Sequence, residues 1–117
     1  MTQNMKNLSP ILLLASCLVA TCVAAQTPAK GDARAGKQKA VAVCSGCHGI
    51  DGTKTAFPEV YHVPRIGGQS EAYLVSALRA YRGGERYNAT MKGLATALTE
   101  KEVVDIAAYY AGSGSAK

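Results

Sequence analysis

The stretch Cys44-Ser45-Gly46-Cys47-His48 decides the interpretation of this chain. Two thiols stand three positions apart, and an imidazole follows the second thiol directly. Exported proteins use cysteines to staple distant segments, but this pair is too close along the chain for that purpose. Ser45 and Gly46 are small, so the backbone between the thiols can pass close to a large planar group. The thiols therefore indicate a chemical site rather than a disulfide.

The pattern C-x-x-C-H is the attachment sequence of c-type haem. Cys44 and Cys47 are predicted to form thioethers with the two vinyl groups of one haem c, and His48 is predicted to offer Nε2 to the iron. Two alternatives use the same residues. A dithiol redox site expects a βαβ setting, and a structural zinc site needs a fourth ligand, for which only His62 or a carboxylate is available.

Met91 is the predicted second axial ligand of the iron. Once the amino-terminal segment has been removed it is the only methionine left, and we expect its surroundings, residues 88–93, to form a loop. The alternative role is a methionine that fills a gap in the core. His62 is the competing ligand and otherwise a surface imidazole. Ligation by His and Met raises the reduction potential, which suits electron transfer.

Helix signals divide the remainder of the chain. Asp32 is the expected N-cap of a helix over 33–43, and Ser70 is the expected N-cap of a second helix. Thr99 and Glu102 are expected to form a capping box at the start of a third helix.

Glycines mark the expected helix ends: Gly83-Gly84 is expected to stop the second helix, and Gly112 is expected to stop the third. Residues 48–69 are expected to form a loop, and no strand pattern of useful length occurs. The apolar stripes are Leu74, Ala77, Leu78 and Tyr81 in the second helix, and Val103, Ile106, Ala107 and Tyr110 in the third.

Residues 1–25 are predicted to be a secretory signal peptide. Lys6 precedes an uncharged run over 11–25, and the run ends in small residues suited to cleavage after Ala25. Its 15 residues fall short of the roughly 20 that span a bilayer. The alternatives are an uncleaved anchor and a lipid attached to Cys17. Export predicts a periplasmic protein with no membrane span after processing.

The remaining boundaries and the composition suggest one small domain. Residues 26–31 are expected to form a short linker, 32–112 the domain and 113–117 a flexible tail. A domain of this size is only marginally stable on its own core, so a covalent cofactor would help. The net charge of +5 at pH 7 lacks the dense positive field of a nucleic-acid binder. No base–nucleophile pair stands out, so no enzyme activity and no small-molecule substrate are expected.

Several segments together resemble the small monohaem class I cytochromes c of bacteria. They are GDARAGKQKA (31–40), CSGCHG (44–49), PRIGGQ (64–69), YRGGER (81–86), the methionine segment and LTEKEVVDIAAYYAG (98–112). The resemblance implies an all-α class I cytochrome c fold, in which three main helices and long loops wrap one covalent haem. It also implies a close crossing of the first and last helices, with Gly36 against Ile106 and Tyr109.

The resemblance further implies roles for two loop residues. The Pro64 carbonyl would accept a hydrogen bond from His48 Nδ1 and so orient the imidazole. Arg65 would lie near a haem propionate, unless it is an ordinary solvated arginine. Two departures stand out. The stretch from His48 to Pro64 is longer than in compact members, with extra residues around 57–62, and Thr90 replaces the proline or methionine that relatives often have before the ligand.

Together, these expectations predict an exported protein that shuttles single electrons between respiratory redox partners. Its partners would be donor and acceptor proteins, and its scattered lysines and arginines would suit an acidic docking surface. One alternative is a dedicated cytochrome subunit of an exported dehydrogenase or oxidase complex. Another is a haem enzyme or sensor with an open iron site, which requires that Met91 does not bind the iron.

Overall fold

The computed structural model describes residues 29–53, 59 and 62–113. Five helices follow in chain order: α1 (Ala33–Val43), α2 (Ser45–His48), α3 (Glu71–Gly83), α4 (Ala89–Ala97) and α5 (Glu100–Ser113). These ranges contain no strand, so the predicted all-α class is confirmed. No helix within them is long and apolar enough to cross a membrane. The signal peptide, most of the 57–62 insertion and the tail after Ser113 lie outside the described residues.

Helix α1 begins at the predicted cap and delivers the cysteine motif at its end. The Asp32 carboxylate accepts hydrogen bonds from the backbone N–H groups of Arg34 (2.8 Å) and Ala35 (3.2 Å). The helix ends at Val43, and Cys44 still donates its N–H to the Ala40 carbonyl (2.8 Å). The short helix α2 follows at once. The motif is therefore held on helical backbone rather than on a free loop.

Helices α3 and α5 also begin where the sequence predicts. Ser70 Oγ accepts from the N–H of Tyr73 (3.2 Å), and α3 ends at Gly83 before the left-handed Gly84. In the capping box of α5, the Glu102 N–H donates to Thr99 Oγ1 (3.2 Å), and the Thr99 N–H donates to Glu102 Oε2 (2.8 Å). The predicted end of α5 at Gly112 is wrong by one residue. Glycine permits a helix to end but does not compel it, and α5 continues to Ser113.

The predicted loop around Met91 is wrong, because residues Ala89–Ala97 form helix α4. Asn88 is its N-cap, and the Asn88 side chain accepts a hydrogen bond from the N–H of Met91 (2.9 Å). Gly93 and the two threonines are weak helix formers, but the other six residues of the helix are Ala, Met, Lys and Leu, which favour helix. The cap and packing against α3 stabilise the helix further.

The first and last helices cross with their backbones in contact. Gly36 is buried, and a Cβ built on it would overlap the Asp105 carbonyl and approach the Ile106 nitrogen to 2.9 Å. The predicted crossing of the two helices at Gly36 is thus present. The expected contact with Tyr109 is not among the nearest atoms, because the backbone at Asp105 and Ile106 fills the space opposite the glycine.

The core lies between α1, α3 and α5. Its buried members are Ala40, Leu74, Leu98, Val103, Ile106, Ala107 and Tyr110. All four residues of the predicted apolar stripe on α5 are buried. On α3 only Leu74 is fully buried, while Leu78 packs against the core from a half-buried position. This small core sits beside the motif and forms part of the walls of the site described below.

A buried carboxylate fastens the start of α1 to α5. Asp105 is 5% exposed, and it accepts hydrogen bonds from the Asp32 N–H (2.8 Å) and from Lys101 Nζ (2.6 Å). The bond from Lys101 lowers the pKa of Asp105, burial opposes this shift, and the Asp32 N–H adds to it. The carboxylate form is therefore the one that the fold stabilises.

Replacing Gly36 with alanine should destabilise the protein by about 2 kcal/mol or more, because the two helices must separate to admit the methyl group. The matched control is Gly93→Ala in α4, where an added Cβ meets nothing within 4 Å. Alanine there should instead stabilise by about 0.5–1 kcal/mol. Guanidinium unfolding of the haem-loaded proteins measures both changes. Equal stability of the two variants would contradict the close crossing.

The Asp105 carboxylate should make stability depend on pH. Because its pKa is lowered in the folded state, its contribution is complete above the ordinary carboxyl pKa of about 4 and is lost as the pH falls through the lowered value. Asp105→Asn should therefore cost about 1–3 kcal/mol at pH 7 and distinctly less at pH 3. Unfolding curves at both pH values test this. A cost that is the same at pH 7 and pH 3 would contradict it.

Candidate functional site

A cavity of about 380 Å³ lies between the motif, the 62–66 segment and helices α3, α4 and α5. This volume falls in the range of sites for small molecules and cofactors. Cys44, Cys47, His48 and Met91 all line it. The other walls are largely apolar and include Leu74, Leu78, Leu94, Leu98, Ile106 and Tyr110. The structure thus brings the predicted site residues together around one mainly apolar cavity that is partly open to solvent.

His48 is held in one orientation within this cavity. It is 6% exposed, and its Nδ1 lies 3.1 Å from the carbonyl oxygen of Pro64, the contact that the resemblance implied. Burial lowers the pKa of His48, although the hydrogen bond to Pro64 opposes the shift. The neutral imidazole is thereby favoured, and this is the form that binds metals. With Nδ1 engaged by the carbonyl, Nε2 is the nitrogen that remains for an iron.

No disulfide joins the two motif cysteines, of which Cys44 is half-buried and Cys47 exposed. Burial raises the pKa of Cys44 to about 11, and the charge of Lys39 opposes this only in part. A thiol with such a pKa is protonated near pH 7, whereas a catalytic dithiol needs a reactive thiolate. The described residues also include no βαβ unit and no group of three His, Cys, Asp or Glu side chains placed to hold a metal ion.

Two tyrosines of α5 hold the backbone that follows His48. The hydroxyl of Tyr110 donates to the Gly49 carbonyl (3.2 Å), and the hydroxyl of Tyr109 donates to the Ile50 carbonyl (2.6 Å). Tyr110 is 1% exposed, and burial raises its pKa, so its hydroxyl remains protonated and able to donate. Sequence reasoning assigned Tyr110 to the core and missed this role. Adjacent tyrosines at the end of an apolar stripe were the available signal.

A second set of backbone bonds ties the segment that follows Pro64 to Gly52, shortly after the motif, and to α5. The Gly52 carbonyl accepts from the N–H groups of Ile66 (2.9 Å) and Gly67 (3.0 Å), and Gly68 donates to the Tyr110 carbonyl (2.9 Å). These bonds help to hold the Pro64 carbonyl in position beside His48.

Met91 lies half-buried in the first turn of α4 and faces the same cavity as His48. The exposed side chains of His62 and Arg65 also border the cavity. The structure thus brings both candidate sulfur and nitrogen ligands to the site. Sequence reasoning missed Arg86, whose guanidinium carbon lies over the rings of Tyr73 (5.8 Å) and Tyr81 (5.1 Å) at the cavity edge.

Comparison with known proteins identifies the class to which this fold and site belong. The sequence model of the family "Cytochrome c" matches residues 33–111, and the chain therefore belongs to the cytochrome c family. Its cofactor is covalent haem c. The cavity fits this group in its donor atoms, because two thiols, an imidazole and a thioether line apolar walls.

Several individual members of the family are similar to this chain in sequence. The chain is 40% identical to cytochrome c4 of Pseudomonas aeruginosa over 85% of its own length and 47% of that protein. It is 43% identical to cytochrome c-554(548) of Halomonas halodenitrificans over 68% of its length and 94% of the relative. The cytochrome subunit of sulfide dehydrogenase of Chlorobaculum tepidum is 30% identical over 87% and 89% of the two chains. The chain thus spans about half the length of the cytochrome c4 that it matches.

Tyr110→Phe should destabilise the haem-loaded protein by about 1 kcal/mol, because it removes the hydroxyl donor and leaves the Gly49 carbonyl with the bond from the Gly52 N–H (3.3 Å). Tyr87→Phe is the matched control, since Tyr87 is 98% exposed, and it should leave stability unchanged. Guanidinium unfolding followed by haem absorbance gives both values. If the two variants unfold at the same midpoint, the hydroxyl of Tyr110 does not hold the backbone after His48.

Proposed function

We propose that this chain is an exported one-electron carrier whose haem is attached through Cys44 and Cys47 and ligated by His48 and Met91. The observation that carries the proposal is that these four side chains line one cavity. They reach it from separate elements: Cys44 caps α1, Cys47 and His48 belong to α2, and Met91 belongs to α4.

Each of these residues has a distinct task. Cys44 and Cys47 supply the sulfur atoms for two thioether bonds, which fix the cofactor to the end of α1. His48 offers Nε2 while Pro64 holds its Nδ1, and Met91 offers its thioether from α4. When bound, the haem supplies a one-electron couple between ferric and ferrous iron, and His/Met ligation raises its potential.

The walls of the cavity influence the reduction potential of the haem. Leu74, Leu98 and Ile106 are buried and border the cavity, so they exclude water from it. An apolar, dry environment disfavours the more charged oxidation state and raises the potential further. Arg65 and Arg86 border the cavity from its exposed side. We assign them to the anionic propionates of the cofactor, where a guanidinium forms strong charge-assisted bonds.

The proposal includes export and partners. Residues 1–25 serve as the signal peptide, 26–31 as a linker, and 32–112 as the cytochrome domain that acts in the periplasm. Removal of residues 1–25 takes away Lys6 and leaves a net charge of +4, which supports docking on donor and acceptor proteins with acidic surfaces. An amino-terminal sequence beginning at Gln26 in the mature protein is the expected mark of export.

A second candidate is a dedicated subunit of an exported dehydrogenase. The relative described as the cytochrome subunit of sulfide dehydrogenase supports it, because the match covers 89% of that protein. A subunit and a free carrier share the same haem site and differ in whether the chain co-purifies with a larger enzyme. The match to cytochrome c-554(548) covers 94% of that relative and supports a free carrier as strongly as the first match supports a subunit.

Met91→Ala should abolish the far-red sulfur-to-iron charge-transfer band of the ferric protein, because it removes the thioether that we propose as the sulfur ligand of the iron. His62→Ala is the matched control. His62 also borders the cavity, and its loss should leave the band in place. Absorbance spectra of the haem-loaded variants provide the measurement.

An unchanged low-spin, six-coordinate spectrum in Met91→Ala would contradict the assignment of Met91. If His62→Ala alone then lost that spectrum, His62 would be the ligand. A wild-type protein that is five-coordinate in the ferric state would favour instead an enzyme or sensor with an open iron site.

A further inference from the structure

Arg82, in the last turn of α3, joins three parts of the fold with one side chain. Its Nε donates to the Ala95 carbonyl (3.1 Å), its Nη2 donates to the Leu98 carbonyl (2.9 Å), and its Nη1 lies 3.0 Å from Glu100 Oε2. Ala95 belongs to the last turn of α4, Leu98 is the C-cap of α4, and Glu100 is the first residue of α5. The Arg82 side chain is 31% exposed and its bonds to the two carbonyls are half-buried, so they are partly shielded from water.

Helix α4 depends on such support from outside. It has nine residues, and isolated helices shorter than about 12 residues are marginal in water. Its one fully buried residue is Ala95, whose side chain offers little apolar surface. At its start the helix is capped by Asn88, the residue that directly precedes it, and this cap does not tie it to another element. Its place in the fold is therefore set mainly at its far end and along α3.

The far end of α4 is where a guanidinium acts most strongly. The last carbonyls of a helix lack partners within the helix and carry partial negative charge. Arg82 supplies donors to two carbonyls in this region and a positive charge beside them. Ala95 follows Met91 by four residues, so the bond from Arg82 is made about one helical turn, or roughly 6 Å, from the methionine backbone.

We propose that Arg82 is a positioning residue for the methionine ligand: it holds the carboxyl end of α4 so that Met91 stays in the cavity. This inference rests on the proposed ligation of iron by Met91. Loss of the two carbonyl contacts should leave α4 free to move away from α3 more often. An external ligand would then displace the Met91 sulfur more readily.

Arg79 offers a matched control on the same helix. Its described hydrogen bonds, from Nε and Nη2, both go to Glu100 Oε1, the carboxylate that also pairs with Arg82. Arg79→Gln and Arg82→Gln each remove one positive partner of Glu100. Only Arg82→Gln removes the donors to the carbonyls of Ala95 and Leu98. The difference between the two variants therefore isolates the contacts with α4.

The experiment is an imidazole titration of the ferric, haem-loaded protein, followed by loss of the far-red charge-transfer band. Imidazole binds where the sulfur leaves, so its apparent affinity reports how often α4 opens. Arg82→Gln should bind imidazole about tenfold more tightly than wild type, the scale of one charge-assisted hydrogen bond. Arg79→Gln should stay within about twofold of wild type, as expected for an exposed ion pair.

Arg82→Lys provides a graded test that preserves the charge. A lysine ammonium cannot serve both carbonyls in a planar fork, so its imidazole affinity should fall between those of wild type and Arg82→Gln. This variant also replaces Arg82→Gln if the latter does not fold, and an affinity equal to that of wild type would then count against the proposal.

The outcomes separate this inference from the proposed function. If wild type shows the far-red band but Arg82→Gln and Arg79→Gln bind imidazole equally, Arg82 does not position Met91, and the ligand assignment stands. If wild type lacks the band altogether, the assignment of Met91 fails first and takes this inference with it.

Discussion

The contact of α1 with α5 at Gly36 is the constraint on which the rest of the structure depends. A side chain at this position would overlap the Asp105 carbonyl, so only glycine lets the two backbones meet. The crossing fixes the direction of α1, whose end carries Cys44. It also brings the tyrosines of α5 to the carbonyls of Gly49 and Ile50. The direction of α1 and the bonds from the two tyrosines together place His48 beside the core, and both depend on the close contact at Gly36.

The parts of the fold that local chemistry dictates could be predicted from the sequence. The caps at Asp32 and Ser70 and the box at Thr99 depend on residues within three positions of one another, and each was predicted correctly. Helix α4 was not, because Gly93 and two threonines weaken its local signal and part of its support comes from α3. The hydrogen bonds of Tyr110 and Arg82 likewise join residues far apart in sequence, and no local pattern reveals them.

In the functional site, too, some features follow from local sequence and others from contacts between distant residues. The spacing of Cys44, Cys47 and His48 indicates the haem chemistry by itself, while the place of Met91 depends on how three helices meet. The motif residues sit on backbone held by α1, Tyr109 and Tyr110, whereas Met91 sits on a short helix held largely by its neighbours. The two proposed axial ligands thus differ in how firmly the protein holds them. A haem in the cavity would complete the core, since the cavity is walled by the buried residues Leu74, Leu98 and Ile106.

The central claim is that one covalent haem, ligated on both faces by this chain, cycles between two oxidation states without losing a ligand. A spectroelectrochemical titration of protein matured with its haem tests it most directly. We expect a single reversible one-electron transition with low-spin, six-coordinate spectra at both ends, and no change when carbon monoxide is added to the ferrous form. A high-spin spectrum at either end, or ready binding of carbon monoxide, would contradict the account.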